Sequence, residues 1–114
     1  MPVVTIQALP DSSVKIDAIL GGVVKSLAAA IETTTDNVWA NFTPMVAVSE
    51  GETAERKRAY HIIVTVLASP RPEEHVQLGL AAIAKVVADG FGVPPARVWA
   101  HWVVLDPKRV FAGG

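Results

Sequence analysis

The chain repeats itself about halfway along its length, and this repeat restricts its fold more than any other feature. Val38-Trp39-Ala40-Asn41-Phe42 returns as Val98-Trp99-Ala100-His101-Trp102, 60 residues later. Upstream of each copy lies an apolar ladder with steps of 4, 3, 4 and 4: Ile16, Leu20, Val23, Leu27 and Ile31, then Val76, Leu80, Ile83, Val87 and Phe91. Such steps line one face of an amphipathic helix. Lys25 and Lys85 also fall at matching places. Further upstream, the β-rich run at 4–9 resembles the run at 62–67, now at an offset of 58, which predicts a two-residue insertion near Pro70 and Arg71. Each half therefore reads strand, helix, strand. Asp11, Ser12 and Ser13 are candidates to cap the first helix. Pro72, Glu73 and Glu74 open the second, and Gly90, Gly92 and Pro94-Pro95 mark its end.

A βαβ unit makes its two strands parallel, with a right-handed crossover. Two such units related by a pseudo-twofold axis predict an α+β fold: a four-stranded mixed sheet with two helices on one face. At 114 residues the chain holds one domain, given about 100–200 residues per domain. We expect two repeats at about 2–48 and 59–105, a polar linker or hairpin arm at 49–58, and a short turn-rich tail at 106–114. The shared Val-Trp-Ala and the matched ladders favour duplication of an ancestral homodimer unit over simple recurrence of the motif. The sheet face away from the helices carries Val3, Thr5, Ile63, Thr65 and their neighbours. Hydrophobic residues make up 51% of the chain and charged ones 18%. A small domain cannot bury that much apolar surface alone, so copies of the chain are expected to cover this face.

Lys plus Arg number 10 against 11 Asp plus Glu. No basic stripe exists for a phosphate backbone, so no nucleic-acid partner is expected. The absence of cysteine excludes disulfides, thiolate metal sites and cysteine nucleophiles. His61, His75 and His101 are not at metal-ligand spacing, and no metal is expected. Gly21-Gly22 lies inside a helix rather than after a strand, so it is no phosphate loop. No Ser-His-Asp set follows from spacing. The start MPVVTIQALP has no basic segment before an apolar one, and no apolar run approaches the ~18 residues of a spanning helix. The expectation is a soluble, cytoplasmic protein that does not engage membranes.

The residue with the most chemical potential is Pro2. Methionine before a small residue is commonly removed, which would leave proline nitrogen as a secondary amine. A free α-amino group titrates near 7.7–8.0, by the roughly known reference values, and an apolar pocket or nearby cation lowers it further. That suits general acid–base work at neutral pH. If Met1 is retained, the nitrogen is an amide and cannot act as a base.

The start Pro2-Val3-Val4-Thr5-Ile6, the duplicated βαβ unit, the strand Val98-Trp99-Ala100-His101-Trp102 and the tail Phe111-Ala112-Gly113-Gly114 together resemble the tautomerase superfamily over nearly the whole chain. That superfamily includes 4-oxalocrotonate tautomerase, malonate semialdehyde decarboxylase, cis-3-chloroacrylic acid dehalogenase and macrophage migration inhibitory factor. The resemblance implies the tautomerase/MIF fold, a trimer of fused two-unit chains, no cofactor, and an N-terminal proline acting as general base or acid. The implied reaction is keto–enol tautomerisation of a small 2-keto or enol carboxylic acid. Hydration, dehalogenation or decarboxylation of a three-carbon acid is the alternative within the fold. A non-catalytic oligomeric binding or assembly protein is the alternative of another class, favoured if Met1 stays.

Anionic substrates call for an arginine. Ser69-Pro70-Arg71-Pro72 resembles the arginine-bearing turn of the decarboxylase and dehalogenase members, with Arg71 as the carboxylate holder. The alternative is a surface arginine paired with Glu74. Those members often carry a second arginine where this chain has Ser69. Short tautomerases use an arginine on the second strand of the unit, at positions held here by Trp39 and Trp99. These two are pocket walls or packing residues. The decarboxylase has an aspartate just before that strand, and Asn37, beside Asp36, is the nearest match. Asn37, Trp39 and Asn41 share one face by strand periodicity, as do Arg97, Trp99 and His101. His101 is a candidate proton carrier or a structural histidine. Phe111 matches an apolar pocket residue of the tail, or packs the tail.

Overall fold

The offset of 60 holds through every strand pair of the computed structural model, which describes residues 1–56 and 60–111, with Glu55 as backbone alone. The first unit is β1 (Val3–Ala8), α1 (Ile16–Ala30) and β2 (Trp39–Pro44). A hairpin of β3 (Val48–Glu50) and β4 (Thr53–Glu55) follows. The second unit is β5 (Ile62–Ala68), α2 (Glu73–Phe91) and β6 (Val98–Val104). The main sheet runs β2-β1-β5-β6, and the hairpin forms a sheet of its own. β1 is parallel to β2 and β5 to β6, while the central pair β1–β5 is antiparallel. Lys57, Arg58 and Ala59 of the joining segment, and Ala112, Gly113 and Gly114 of the tail, lie outside the described residues.

The register corrects one expectation. Val3 faces Trp39 in the first unit, and Ile63 faces Trp99 in the second. Both members of the pair are 60 apart, so the strands match at 60 and not 58, and no insertion sits near Arg71. Pro10 then matches Pro70, and Asp11 stands where Arg71 stands. Two β-rich runs slid by two residues keep the same inward and outward sides, so alternation cannot distinguish the two offsets.

Alternation puts Val4, Ile6 and Ala8 of β1 and Ile62, Val64, Val66 and Ala68 of β5 on the helix side, all buried. Ile19, Val23 and Leu27 of α1 and Ile83, Val87 and Phe91 of α2 close over them. The helices cross antiparallel at close range, because glycines take the contact points. A Cβ on Gly90 would clash with the Ile19 side chain, and one on Gly79 would meet Leu27 Cδ1 at 2.9 Å.

Neither helix begins on a side-chain cap. Asp11 accepts from the Ser13 backbone N–H at 3.0 Å and hydroxyl at 2.6 Å, which closes the turn rather than capping α1. Lys15 is the residue before α1, with no side-chain cap. Both helices end alike. Thr33 N–H donates to Ala28 C=O at 2.9 Å and Val93 N–H to Ala88 C=O at 3.0 Å. The residue that turns the chain has φ of 69° at Gly92 and 56° at Glu32. Glycine takes this left-handed conformation without steric cost, and glutamate does not. The tail forms a 3-10 turn, Pro107–Arg109, with Asp106 accepting from Lys108 N–H. Among the described residues no helix is long and apolar enough to cross a membrane.

Two substitutions test this packing by chemical denaturation. Gly90→Ala should destabilise by about 1–3 kcal/mol, because overpacking against Ile19 outweighs the gain in helix propensity. Glu32→Gly should stabilise by about 1 kcal/mol by relieving the left-handed strain. A stabilised Gly90→Ala protein would show that the helices do not meet at that contact.

Candidate active site

The strand directions bring four strand termini together at each end of the main sheet. At one end β1 and β2 begin and β5 and β6 finish. Pro2 is fully buried there, and its C=O accepts from Trp39 N–H at 3.0 Å. Beside it the Ala68 C=O accepts from Leu105 N–H at 2.7 Å. A cavity of 370 Å³ lies elsewhere, between the helices, but the one at this end measures 270 Å³ and is lined by Met1, Ser69, Leu105, Pro107 and Val110. Met1 thus forms part of its wall, and the peptide nitrogen of Pro2 is bonded to that wall.

Ser69 leads through Pro70 to Arg71, just before α2. Arg71 is half-buried, and its Nε is wholly buried without a hydrogen-bond partner among the described residues. A buried donor left unpaired costs about 1–3 kcal/mol, more on a charged group. An anion would satisfy it, and the planar guanidinium suits a carboxylate.

The other residues singled out from sequence divide between the two ends. Trp39 lies at the Pro2 end, 59% exposed, on the sheet face away from the helices and opposite Val3. Asn37 precedes it in the 3-10 turn Thr35–Asn37, and its side-chain amide donates back to Thr33 Oγ1 at 3.1 Å. Phe111 is 91% exposed, and the tail residues that line the cavity are Pro107 and Val110, the latter its neighbour. Trp99 sits near the start of β6, opposite Ile63. It is five residues, about 17 Å, from Val104 at the Pro2 end. His101 lies mid-strand, with Nε2 3.4 Å from Thr65 Oγ1. Neither Trp99 nor His101 reaches Pro2 within one chain.

The helix-free sheet face has three ranks across the strands. Trp39, Val3, Leu67 and Val103 form an apolar rank at the Pro2 end. Asn41, Thr5, Thr65 and His101 form a polar rank in the middle, with Asn41 donating to Thr5 Oγ1 at 3.1 Å. Thr43, Gln7, Ile63 and Trp99 form the third, and Trp99 is 68% exposed.

At the far end of the sheet lies a cluster that linear spacing did not signal. Glu50, on the hairpin, sits 2.7 Å from His61 Nε2 and 2.9 Å from Arg97 Nη1. A carboxylate only accepts, so the histidine nitrogen is the donor. The Arg97 guanidinium lies 4.2 Å from the Tyr60 ring centroid, a cation–π contact. These partners are 11 and 47 residues from Glu50 and belong to three separate segments. Among the described residues no three His, Asp or Glu side chains converge to hold a metal ion.

No family model and no curated protein matches the chain. Solved structures do. A fused 4-OT, an asymmetric trimer, superposes with a TM-score of 0.88 at 11% identity over 98% of this chain and 93% of that one. A protein inactivated by 2-oxo-3-pentynoate gives 0.86 at 16% identity, over 98% and 92%. Malonate semialdehyde decarboxylase gives 0.74 at 14% identity, over 98% and 91%. The chain therefore has the fold of the tautomerase superfamily: paired βαβ units, one four-stranded mixed sheet, and two helices on one face.

The far-end cluster has a pH signature. Hydrogen bonds from His61, then from Arg97, hold the Glu50 carboxyl below its ordinary value of 4.5. A carboxyl depressed in the folded state stabilises it above the unfolded value, and that contribution is lost as pH falls through the folded value. Carboxyl NMR should therefore show Glu50 titrating below 4.5. Glu50→Gln should remove the matching acid-side loss of hairpin amide protection. Titration at or above the ordinary value would contradict the contacts.

Proposed function

We propose that this chain is a cofactor-independent tautomerase in which Pro2, with Met1 removed, shuttles a proton between oxygen and carbon of a small 2-keto or enol carboxylic acid. The observation that carries this is the arrangement at one sheet end. Pro2 is buried beside a cavity walled by Met1, and the unsatisfied Nε of Arg71 lies on the turn that follows Ser69. Loss of Met1 would enlarge the cavity and turn the adjoining nitrogen from an amide into an amine at its floor. Its apolar walls, Leu105, Pro107 and Val110, disfavour the protonated amine, as does the Arg71 cation. The amine is then a base matched to neutral pH.

In this reading Arg71 takes the substrate carboxylate, and Pro2 removes a proton from the enol hydroxyl or C3 and returns it to the other site. Trp39, Phe111 and Asn37 lie outside the cavity lining and are assigned to the approach to the pocket. Trp99 and His101 take part only if a neighbouring chain carries them to the Pro2 end. The malonate semialdehyde decarboxylase structures include a variant with proline at the first residue replaced by alanine, which supports attention to this position. The exposed apolar side chains Trp39, Val103 and Trp99 on the open sheet face support a trimer, the assembly of the fused 4-OT.

Intact mass is the first test: the native protein must lack one methionine residue. Treatment with 2-oxo-3-pentynoate should then add one reagent mass at Pro2. The amine nitrogen bonds to the alkyne carbon, one π bond is lost, and the amine proton moves to the neighbouring carbon. Ketonisation of phenylenolpyruvate or 2-hydroxymuconate, followed in the ultraviolet, should fall about 10²–10⁴-fold in Pro2→Ala. Arg71→Ala should mainly raise KM if it binds ground and transition states alike. Retained Met1, with wild type inert on a broad acid panel, would favour the non-catalytic assembly protein instead. Light scattering should give three times the chain mass of 12.1 kDa.

A further inference from the structure

The repeat gives the open sheet face one hydrogen bond twice over, and only one copy of it carries a titratable ring. Asn41 and His101 are equivalents 60 residues apart, as are Thr5 and Thr65. In the first unit the Asn41 amide donates to Thr5 Oγ1 at 3.1 Å and to the Val4 C=O at 3.3 Å. In the second unit His101 Nε2 lies 3.4 Å from Thr65 Oγ1. An amide keeps its charge at any ordinary pH. A histidine is the side chain that changes charge between about pH 5 and 8.

The surroundings of His101 favour a neutral ring. It is half-buried, and its Nδ1 is wholly buried without a hydrogen-bond partner among the described residues. A protonated ring carries an N–H on both nitrogens, so the one at Nδ1 would face no acceptor. The three ranks of this face hold no Asp, Glu, Lys or Arg. On β5, the strand beside it, the ring is flanked by Ile63, Thr65 and Leu67. Titratable groups come only on the approaches to these strands. Tyr60, His61 and Arg97 lie at the far end, where Glu50 already pairs with His61 and Arg97. Arg97 is four residues, about 13 Å, from His101 along the strand. At the Pro2 end Asp106 is 3.6 Å from Arg109. Among the described residues no carboxylate pairs with His101. In a separate chain a charged ring can turn out to water. Beneath a neighbouring copy it would be a charge without water or partner, which is costly.

We propose that the contact between copies of this chain is proton-sensitive, with His101 as its switch. The neutral ring closes the central rank under the neighbouring copy, and the protonated ring opens that contact. This rests on the trimer reading above. The sign follows from linkage: the assembled state takes the neutral ring, so proton uptake favours separate chains. The dissociation constant then rises as pH falls through the histidine range and levels off above it. With one ring per chain, its logarithm changes by up to about three per pH unit.

Sedimentation equilibrium between about pH 8 and 5 measures this. Stopping there keeps Glu50 ionised, since its carboxyl titrates below 4.5. The wild-type dissociation constant should rise a hundredfold or more, with far-ultraviolet circular dichroism unchanged. His101→Asn repeats the chemistry of Asn41 and should change by less than about threefold. His61→Asn should behave as wild type. If His101→Asn does not assemble at the upper pH, His101→Gln replaces it. If neither assembles, the wild-type His101 ring signal decides, and it should titrate over the range in which the trimer separates. A trimer indifferent to acid, a His101→Asn chain as acid-sensitive as wild type, or a His101 signal that titrates elsewhere would each overturn the switch and leave the trimer standing. A chain that stays single at the upper pH would overturn the switch and the trimer together. No substrate enters these measurements, so Pro2 chemistry is decided apart from them.

Discussion

The antiparallel seam between β1 and β5 is the contact on which the molecule's geometry depends. Thr5 pairs with Thr65 at its centre, and these two residues are themselves equivalents 60 apart. The pseudo-twofold axis therefore passes through the seam. A slip of one residue would turn Val4, Ile6 and Ala8 to the open face and expel them from the core. With the seam fixed, both crossover helices fall on one side and meet each other through Gly79 and Gly90. The same seam sends the start of β1 toward the finish of β5. Pro2 thereby comes to the turn that bears Arg71, although 69 residues separate them in the chain.

Much of this was readable from residue patterns, for identifiable physical reasons. The helices show because burial on one side demands steps of three and four. The strands show because β-branched residues cluster in short runs. The offset between strand runs did not show, because displacement by two residues leaves every side chain on the same face. Only pairing with β2 and β6, and the coincidence of Pro10 with Pro70, settles it. Asp11 and the serines after it carry the composition of a helix cap. They serve a turn instead, since the helix begins later, at Ile16. Around the Pro2 end, Pro2 and Arg71 were legible as unusual chemistry. Val110 and Met1 as cavity walls were not, because they depend on how the tail folds back. The Glu50, His61 and Arg97 cluster was invisible for the same kind of reason: its members come from a hairpin, a strand approach and a 3-10 turn, and only the fold brings them together.

The open sheet face has its own division of labour. Its rank at the Pro2 end is apolar, its far rank sets Ile63 and Trp99 beside Thr43 and Gln7, and its central rank of Asn41, Thr5, Thr65 and His101 is polar and internally hydrogen-bonded. The apolar side chains supply the drive for association. A polar rank between them makes a shifted packing costly, because it would strand these groups against hydrocarbon. The face is thus suited to a defined assembly more than to a loose one. Both tryptophans at its corners, Trp39 and Trp99, are related by the pseudo-twofold, so the face presents nearly the same edge in two directions.

That near-symmetry of the frame contrasts with the chemistry of its two ends. One end presents a buried proline, a cavity walled in part by Met1 and an arginine whose Nε has no partner among the described residues. The other presents an arginine whose charge is already met by a carboxylate of the same chain. The pseudo-twofold gives two corresponding ends, and the units differ there in opposite senses. Asp11 at the position of Arg71 leaves the far end without that cation, and Arg97 at the position of Asn37 supplies one from another direction. The hairpin after β2 has no counterpart in the short tail turn after β6, and it is the hairpin that brings Glu50 to Arg97.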